Sequence, residues 1–275
     1  MRSVELNAST VVAEPLPAAV ARLAEAGCDS PRLDAELLLA EVLGTTRTAL
    51  YLTTVPQLTP AARARFEGLV ARRAEREPVA YILGRKPFRR LDIAVDRRVL
   101  IPRPETELLV EVGLDLPLGA KVADVGTGSG AVVLALADER PDLALTGIDI
   151  SEDALVVARS NARRLGLEIT FLRGDLIIGG PYDAVLANLP YVRDGDPLPP
   201  EIARYEPAVA LYGGSDGLDI VRRFARLADE VPMLALEVGA GQARAVADTL
   251  RDAGFAEVTC LRDLAGHERV VVARR

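Results

Sequence analysis

Asn188-Leu189-Pro190-Tyr191 follows the apolar run Ala184-Val185-Leu186-Ala187, and its residue types suit the capture of a planar nitrogen. An amide or exocyclic amine nitrogen is a poor nucleophile because its lone pair is delocalised into the neighbouring π-system. An enzyme that alkylates it must hold the N–H groups and aim the lone pair. The Asn188 side-chain oxygen can accept one N–H. The Leu189 carbonyl can accept the other, because Pro190 fixes its own φ and biases the residue before it to an extended conformation. Tyr191 can lie against the flat face of the acceptor. Taken alone, the tetrapeptide is a loop with Asn and Pro as turn formers. Its place after a strand, at the carboxyl end of a sheet where such folds bind ligands, favours the clamp.

A second constellation precedes it: Asp124-Val125-Gly126-Thr127-Gly128-Ser129-Gly130. Gly126, Gly128 and Ala131 satisfy the dinucleotide fingerprint, and Asp149 lies near the distance expected of a ribose-binding acid. That match alone is weak, although three glycines in five positions argue against an ordinary strand-to-helix turn. Asp124 inside the strand end, the third glycine at Gly130 and a further acid at Asp175 tilt the reading toward S-adenosylmethionine. Backbone N–H groups and glycines from Gly126 to Gly130, with Thr127 and Ser129 among them, admit the methionine portion closely. Asp149 then accepts from ribose hydroxyls and Asp175 from the adenine amine.

These residues need a scaffold, and hydrophobic periodicity supplies one. Leu16, Val20, Leu23 and Ala24 recur at helical spacing up to Gly27, and Leu33, Leu37, Leu38 and Val42 up to Gly44. A third helix opens with Thr59 as N-cap and Pro60 at its first position and runs to the break at Pro78. Residues 1–86 therefore read as a helical bundle domain. Residues 87–103 read as a connector in which 89–95 and 99–101 pair as a hairpin around Asp96. From Pro104 to Arg275 strands and helices alternate, which implies an α/β domain with a mostly parallel, Rossmann-like sheet covered on both faces. Its last two strands are joined by too short a segment for a parallel crossover and should form an antiparallel hairpin.

Charge narrows the acceptor. Residues 1–86 carry 11 basic and 10 acidic side chains, whereas residues 87–275 carry 22 and 30, so the half bearing the site is the acidic half at −8. An acidic surface repels a phosphate backbone, which favours a protein or small-molecule acceptor and no stable nucleic-acid binding. Cys28 and Cys260 are too few for a disulfide framework and have no metal-ligand spacing, so no metal and a reducing, cytoplasmic setting are expected. Met1 to Pro15 lacks a basic segment leading into an apolar one, and no run approaches the ~18 apolar residues of a membrane span. The lone His267 sits in a polar turn without a catalytic role. Arg103-Pro104-Glu105-Thr106-Glu107 reads by itself as a helix start with acids complementing the dipole.

With these motifs in hand, the chain resembles the protein-(glutamine-N5) methyltransferases that modify peptide chain release factors, known as PrmC or HemK. The resemblance spans nearly the whole chain: Ile101 to Glu107, Asp124 to Gly130, Asn188 to Tyr191, Tyr205-Glu206-Pro207, Ala210 to Gly214, Asp216 to Leu218, Leu236 to Gly239, Gln242, Asp263, Gly266 and Arg269-Val270. It implies a class I methyltransferase fold behind a substrate-docking helical domain, with S-adenosyl-L-methionine as cofactor and S-adenosyl-L-homocysteine as product. It also makes the Arg103 to Glu107 element a loop closing over the methyl donor, with Arg103 beside the substrate. Two departures stand out. Leu189 replaces a proline whose carbonyl is the functional part, giving a tetrapeptide that ribosomal RNA adenine-N6 dimethyltransferases also carry. Leu176 replaces an aromatic residue under the adenine.

The expected activity is methyl transfer to the glutamine N5 of the Gly-Gly-Gln loop of class 1 release factors, with Asn188 to Tyr191 as the catalytic and substrate-binding set. An adenine-N6 methyltransferase uses the same clamp but requires a basic channel and a flipped-base pocket. A non-catalytic nucleotide-binding regulator, with the first ~90 residues as a docking bundle, is the alternative from another class.

Overall fold

The computed structural model describes residues 15–52, 58–176 and 180–275. The first fourteen residues of the expected helical domain lie outside the described residues. Two compact units are present: one holds the chain up to Gly84 together with Pro199–Tyr205, the other Arg85–Leu198 together with Glu206–Arg275.

The first unit is helical. It contains α1 (Pro15–Glu25), α2 (Pro31–Leu43), α3 (Ala49–Leu52), α4 (Pro60–Ala74) and α5 (Val79–Leu83). Gly44 ends α2 in the left-handed region at φ 62°. Thr59 caps α4 by accepting from Ala62 N at 3.2 Å, with Pro60 just inside. Leu23, Leu38, Leu39, Phe66 and Val70 meet in its core, each burial contributing roughly 1.5–3 kcal/mol. Two short helices, α3 and α5, were not expected; α5 starts directly after Pro78, the residue read as the break that ends the third helix. Residues 199–205 join this unit through charge. Arg73, buried, bonds Asp34 at 2.7 Å and Glu201 at 2.9 Å, and Arg76 bonds Glu201 at 2.6 Å. Burial alone would raise the Glu201 carboxyl, but Arg76 and Arg73 hold it down to about 2.

The second unit opens with a hairpin, β1 (Arg85–Phe88) and β2 (Leu91–Ala94), in register Arg85 to Ala94 through Phe88 to Leu91. This corrects the expected pairing of 89–95 with 99–101. Asp96 is not the turn of the hairpin; it accepts from Arg98 N at 3.0 Å in the segment that follows. The turn is Arg89-Arg90, with Arg89 at φ 52°, a conformation costly for a side chain with a Cβ. Its neighbours hold it there: Glu107 accepts from Arg89 N at 3.1 Å, Glu139 takes two guanidinium bonds at 2.8 Å, and Glu111 takes another.

A single 3-10 turn, Pro104–Thr106, leads into α6 (Glu107–Leu114). Then follow β3 (Lys121–Val125), α7 (Ala131–Glu139), β4 (Ala144–Asp149), α8 (Glu152–Leu165), β5 (Thr170–Arg173), β6 (Ala184–Ala187), α9 (Pro200–Tyr205, in the first unit), α10 (Asp219–Leu227), β7 (Met233–Glu237), α11 (Ala243–Asp252), β8 (Glu257–Arg262) and β9 (Glu268–Arg274). The seven strands are ordered β5-β4-β3-β6-β7-β9-β8. The first five in that order run parallel, while β9 is antiparallel to both β7 and β8, so the closing hairpin is inserted with β9 inside. Every residue of β6 and β7 is buried, as expected of parallel strands covered on both faces. The chain reverses direction of travel across the sheet between β3 and β6, and the crevice at their carboxyl ends is where such sheets take ligands.

Candidate active site

At that crevice β3 gives way to the glycine turn. Gly126 N and Thr127 N both donate to the Ile148 carbonyl, at 2.9 and 3.0 Å, which anchors the turn to β4. Gly126, Gly128 and Gly130 take φ of 73°, 55° and 84°, values that glycine alone adopts without strain. A Cβ on Gly126 would meet the Asn188 carbonyl at 3.3 Å, so the turn and the Asn188 loop share an edge. A Cβ on Gly128 would have only the Gly126 carbonyl near it, at 3.9 Å, leaving an open cradle above the turn. The amino-terminal end of α7 follows, where unpaired N–H groups favour a carboxylate. A nucleoside with an amino-acid tail fits these features.

The acids around the turn divide by role. Asp149 accepts from Gly128 N and from Ser151 N, each at 2.9 Å, so one oxygen steadies the turn and the other the start of α8. Burial raises its carboxyl above the usual range, opposed by those backbone donors. Asp124 faces inward: Thr127 Oγ1 donates to it at 2.6 Å, and burial pushes it up to about 7. Ser129 is buried, and its carbonyl accepts from Asn161 Nδ2 at 3.0 Å. Asn161 also bonds both backbone groups of Ala94 at 2.9 Å, tying the β1–β2 hairpin to the turn. Asp175 pairs with Arg223 at the surface. Leu176 is buried at φ 65° and packs with Val125 and Ile148.

The Asn188 loop leaves β6 with Leu189 buried and Asn188, Pro190 and Tyr191 half-buried. Asn188 Nδ2 donates to Thr106 Oγ1 at 3.3 Å, which commits the donor end of the amide and leaves Oδ1 as an acceptor. The backbone of the loop lies on the Gly213–Gly217 segment. Val192 N donates to the Leu211 carbonyl at 2.9 Å, and Gly213 N donates to the Val192 carbonyl at 2.8 Å. A Cβ on Gly213 would stand 2.5 Å from the Pro190 carbonyl, and one on Gly217 would collide with the Tyr191 carbonyl. These glycines exist so that two backbones can touch.

Arg103 donates to the buried Glu206 at 2.6 Å, and Glu206 also accepts from Ile101 N at 3.2 Å. The carboxylate thus fastens the segment before α6. Tyr191 OH donates to Glu237 at 3.4 Å. Burial and the Glu237 charge raise the Tyr191 phenol to about 12, against the opposing charges of Arg103 and Arg269. Glu237, at the end of β7, is buried with Oε2 lacking a hydrogen-bond partner among the described residues. Thr106, Asn161 and Gln242, whose Nε2 donates to the Tyr191 carbonyl at 2.9 Å, hold these segments in place; spacing assigned none of them, although Thr106 and Gln242 fall within the motifs quoted above. Among the described residues no group of three or more His, Cys, Asp or Glu could hold a metal, and no helix is long and apolar enough to cross a membrane.

Comparison with known proteins adds the following. The PrmC N-terminal domain model matches residues 14–84, and the Methyltransferase small domain model matches residues 104–203. The release factor glutamine methyltransferase of Rhodospirillum rubrum is 44% identical over 269 residues, covering 92% of this chain and 82% of that protein. That of Geobacter sulfurreducens is 41% identical over 262 residues, covering 92% of each. The catalytic domain of hMettl16, solved in complex with the MAT2A 3'UTR hairpin 6, superposes with a TM-score of 0.56 at 18% identity, over 75% of this chain and 81% of that one. At that identity it is the fold that is shared.

Proposed function

Because the chain belongs to the family of release factor glutamine methyltransferases, we propose that its acceptor glutamine is held by Asn188 and Leu189, at the edge shared with the glycine turn. The protein is an S-adenosyl-L-methionine-dependent protein glutamine methyltransferase, and the group it methylates is the N5 amide nitrogen of a release-factor glutamine. The finer reading is that this glutamine belongs to the Gly-Gly-Gln motif of class 1 factors, and that the first unit docks the factor in the cytoplasm. The observation that carries the site is the Asn188 side-chain amide, whose donor end is engaged by Thr106 at 3.3 Å, in a residue whose backbone carbonyl lies 3.3 Å from where a Cβ on Gly126 would stand.

When bound, S-adenosyl-L-methionine supplies an electrophilic methyl group on a positive sulfonium. The chain's own residues hold and aim. Asn188 Oδ1 and the Leu189 carbonyl accept the two amide N–H groups, which turns the nitrogen lone pair toward the turn. The Tyr191 ring lies against the amide plane. Gly126 to Gly130, with Thr127 and Ser129, admit the amino-acid tail, and Asp124 fixes the turn through Thr127. Asp149 keeps lone pairs for ribose hydroxyls beside the two backbone bonds it already accepts. Asp175 reaches the adenine amine by exchanging its exposed contact with Arg223, and Leu176 supports the ring. Arg103 has five N–H donors, of which Glu206 takes one, so others are available to a backbone carbonyl of the incoming loop. Fixing both partners in reacting geometry supplies much of the rate.

Stable nucleic-acid binding is not part of this reading, because residues 87–275 carry a formal −8. The test is methyl incorporation from labelled cofactor into a class 1 release factor. Replacing the motif glutamine should abolish incorporation, since an apolar replacement leaves buried acceptors unpaired. Ribonuclease and deoxyribonuclease should change nothing. Incorporation that survives the glutamine replacement, or vanishes with a nuclease, moves the acceptor to nucleic acid.

A further inference from the structure

Thr106 sits between the clamp and a buried charge. It is itself buried and accepts from Asn188 Nδ2 at 3.3 Å. A hydroxyl carries one proton and two lone pairs, so the bond from Asn188 leaves the Thr106 proton to be donated elsewhere. The Glu237 carboxylate lies alongside: Tyr191 OH donates to its Oε1 at 3.4 Å, and the neighbouring Thr106 hydroxyl, like Tyr191, favours its anion. Glu237 Oε2 itself has no hydrogen-bond partner among the described residues. A buried carboxylate oxygen left so nearly bare is costly, and its retention calls for a use.

We propose that Glu237, acting through Thr106, is a positioning residue for the acceptor clamp: its carboxylate takes the Thr106 hydroxyl proton, which turns a Thr106 lone pair to Asn188 Nδ2 and fixes Asn188 Oδ1 toward the acceptor amide. The inference rests on the reading of Asn188 as the clamp. A primary amide can otherwise rotate by half a turn and present N–H where the substrate's own N–H groups must sit. The Thr106 hydroxyl decides between these two orientations, and Glu237 decides which way that hydroxyl points.

The state of Glu237 therefore matters. The groups facing it are Glu105 from the turn before α6, Tyr191 from the clamp loop, Thr106, and Arg269 from β9. Arg269 is already bonded to Asp263 at 2.9 Å. Burial, then Glu105, raise the carboxyl to about 7 against Thr106, Tyr191 and Arg269. Protonated, Glu237 becomes a donor on one oxygen and no longer compels the Thr106 orientation, so the clamp tightens as pH rises through neutrality.

The experiment measures kcat, release-factor KM and cofactor affinity from about pH 6 to pH 9 for Thr106→Val, Thr106→Ser and Glu237→Gln. Thr106→Val keeps the side-chain shape and should lower kcat about tenfold or more with cofactor affinity within about twofold. Thr106→Ser should restore most of it. Glu237→Gln should lower kcat and flatten its rise near neutrality, and the double variant Thr106→Val with Glu237→Gln should lose little more than Thr106→Val alone. Wild-type kcat in Thr106→Val, no rescue by Thr106→Ser, or an unchanged pH profile in Glu237→Gln overturns the proposal. Asn188→Ala separates the two readings. Inactive Asn188→Ala beside active Thr106→Val leaves the clamp standing and removes only the positioning role, whereas active Asn188→Ala removes the clamp itself.

Discussion

Gln242 Nε2 donates to the Tyr191 carbonyl at 2.9 Å, while Oε1 of the same side chain accepts from Gly239 N at 2.9 Å. One amide thereby joins the clamp loop to the loop after β7, and it fits because neither Gly217 nor Gly239 carries a Cβ: one on Gly239 would stand 2.8 Å from Gln242 Oε1. Removing the brace leaves a carbonyl and an N–H without their partner, a cost of about 1–3 kcal/mol. Gln242→Ala should lower the unfolding midpoint and reduce kcat. Gln242→Glu should be at least as harmful, because it turns a carboxylate oxygen on the Tyr191 carbonyl. Thermal unfolding together with steady-state kinetics checks both, and two wild-type profiles would show the brace to be idle.

Asn188→Ala removes the side-chain acceptor of the clamp without touching the Leu189 carbonyl. Turnover should fall by about a hundredfold or more, while cofactor affinity changes by less than about tenfold, ~1.4 kcal/mol. Single-turnover methyl transfer paired with calorimetric titration of S-adenosyl-L-homocysteine distinguishes the two quantities.

Asp149 holds Gly128 N and Ser151 N at 2.9 Å each and is assigned the ribose hydroxyls. Asp149→Ala should weaken cofactor binding by roughly 1.5–3 kcal/mol per charge-assisted bond lost. Asp149→Asn should rescue little, because its NH2 must face one of two backbone N–H groups. An unchanged dissociation constant in both variants would leave Asp149 with a turn-forming role alone.

Glu237 also sets a stability trend with pH. Its folded carboxyl lies near 7, above the ~4.3 of an exposed glutamate, so folding favours the neutral form. The stabilisation of that neutral form is fully present below the unfolded value and is lost as pH rises through about 7. Glu237→Gln should therefore gain stability over the parent at about pH 8 and gain little at about pH 4, the difference reaching up to ~3.7 kcal/mol at 1.36 kcal/mol per unit. Asp124, also near 7, is common to both proteins and cancels. Denaturant unfolding at the two pH values measures the difference. Stability gained together with kcat lost would be the exchange expected of a residue kept for activity.

The long elements could be read in advance because local chemistry declares them. Thr59 and Pro60 open a helix, Gly44 closes one, and the buried runs of β6 and β7 have strand length. The glycine turn and the Asn188 loop could be placed at one end of one sheet by strand order alone. The hairpin could not. Its turn residue Arg89 carries no turn signal and is held at positive φ by Glu107, Glu111 and Glu139 from two later helices, a tertiary constraint that outweighs local preference. The Thr106–Glu237 juxtaposition was likewise hidden, since Thr106 lies in the turn before α6 and Glu237 at the end of β7, more than a hundred residues apart, and only the fold brings them together. Asp175 and Leu176 were singled out for adenine; the surface pairing of one and the core packing of the other depend on neighbours that no motif records.

The stretch Pro199–Tyr205 leaves the methyltransferase unit and returns to it within seven residues, carrying Glu201 to Arg73 and Arg76. Genetically, the helical unit is then no detachable cassette. A recombination event that exchanged everything before Arg85 would deliver a foreign bundle to a resident Glu201, and the carboxylate would be buried against side chains that never coevolved with it. Point substitution at Arg73, Arg76 or Glu201 can retune that contact within the first unit, but grafting a new amino-terminal segment demands a matching rewrite of a segment more than a hundred residues downstream.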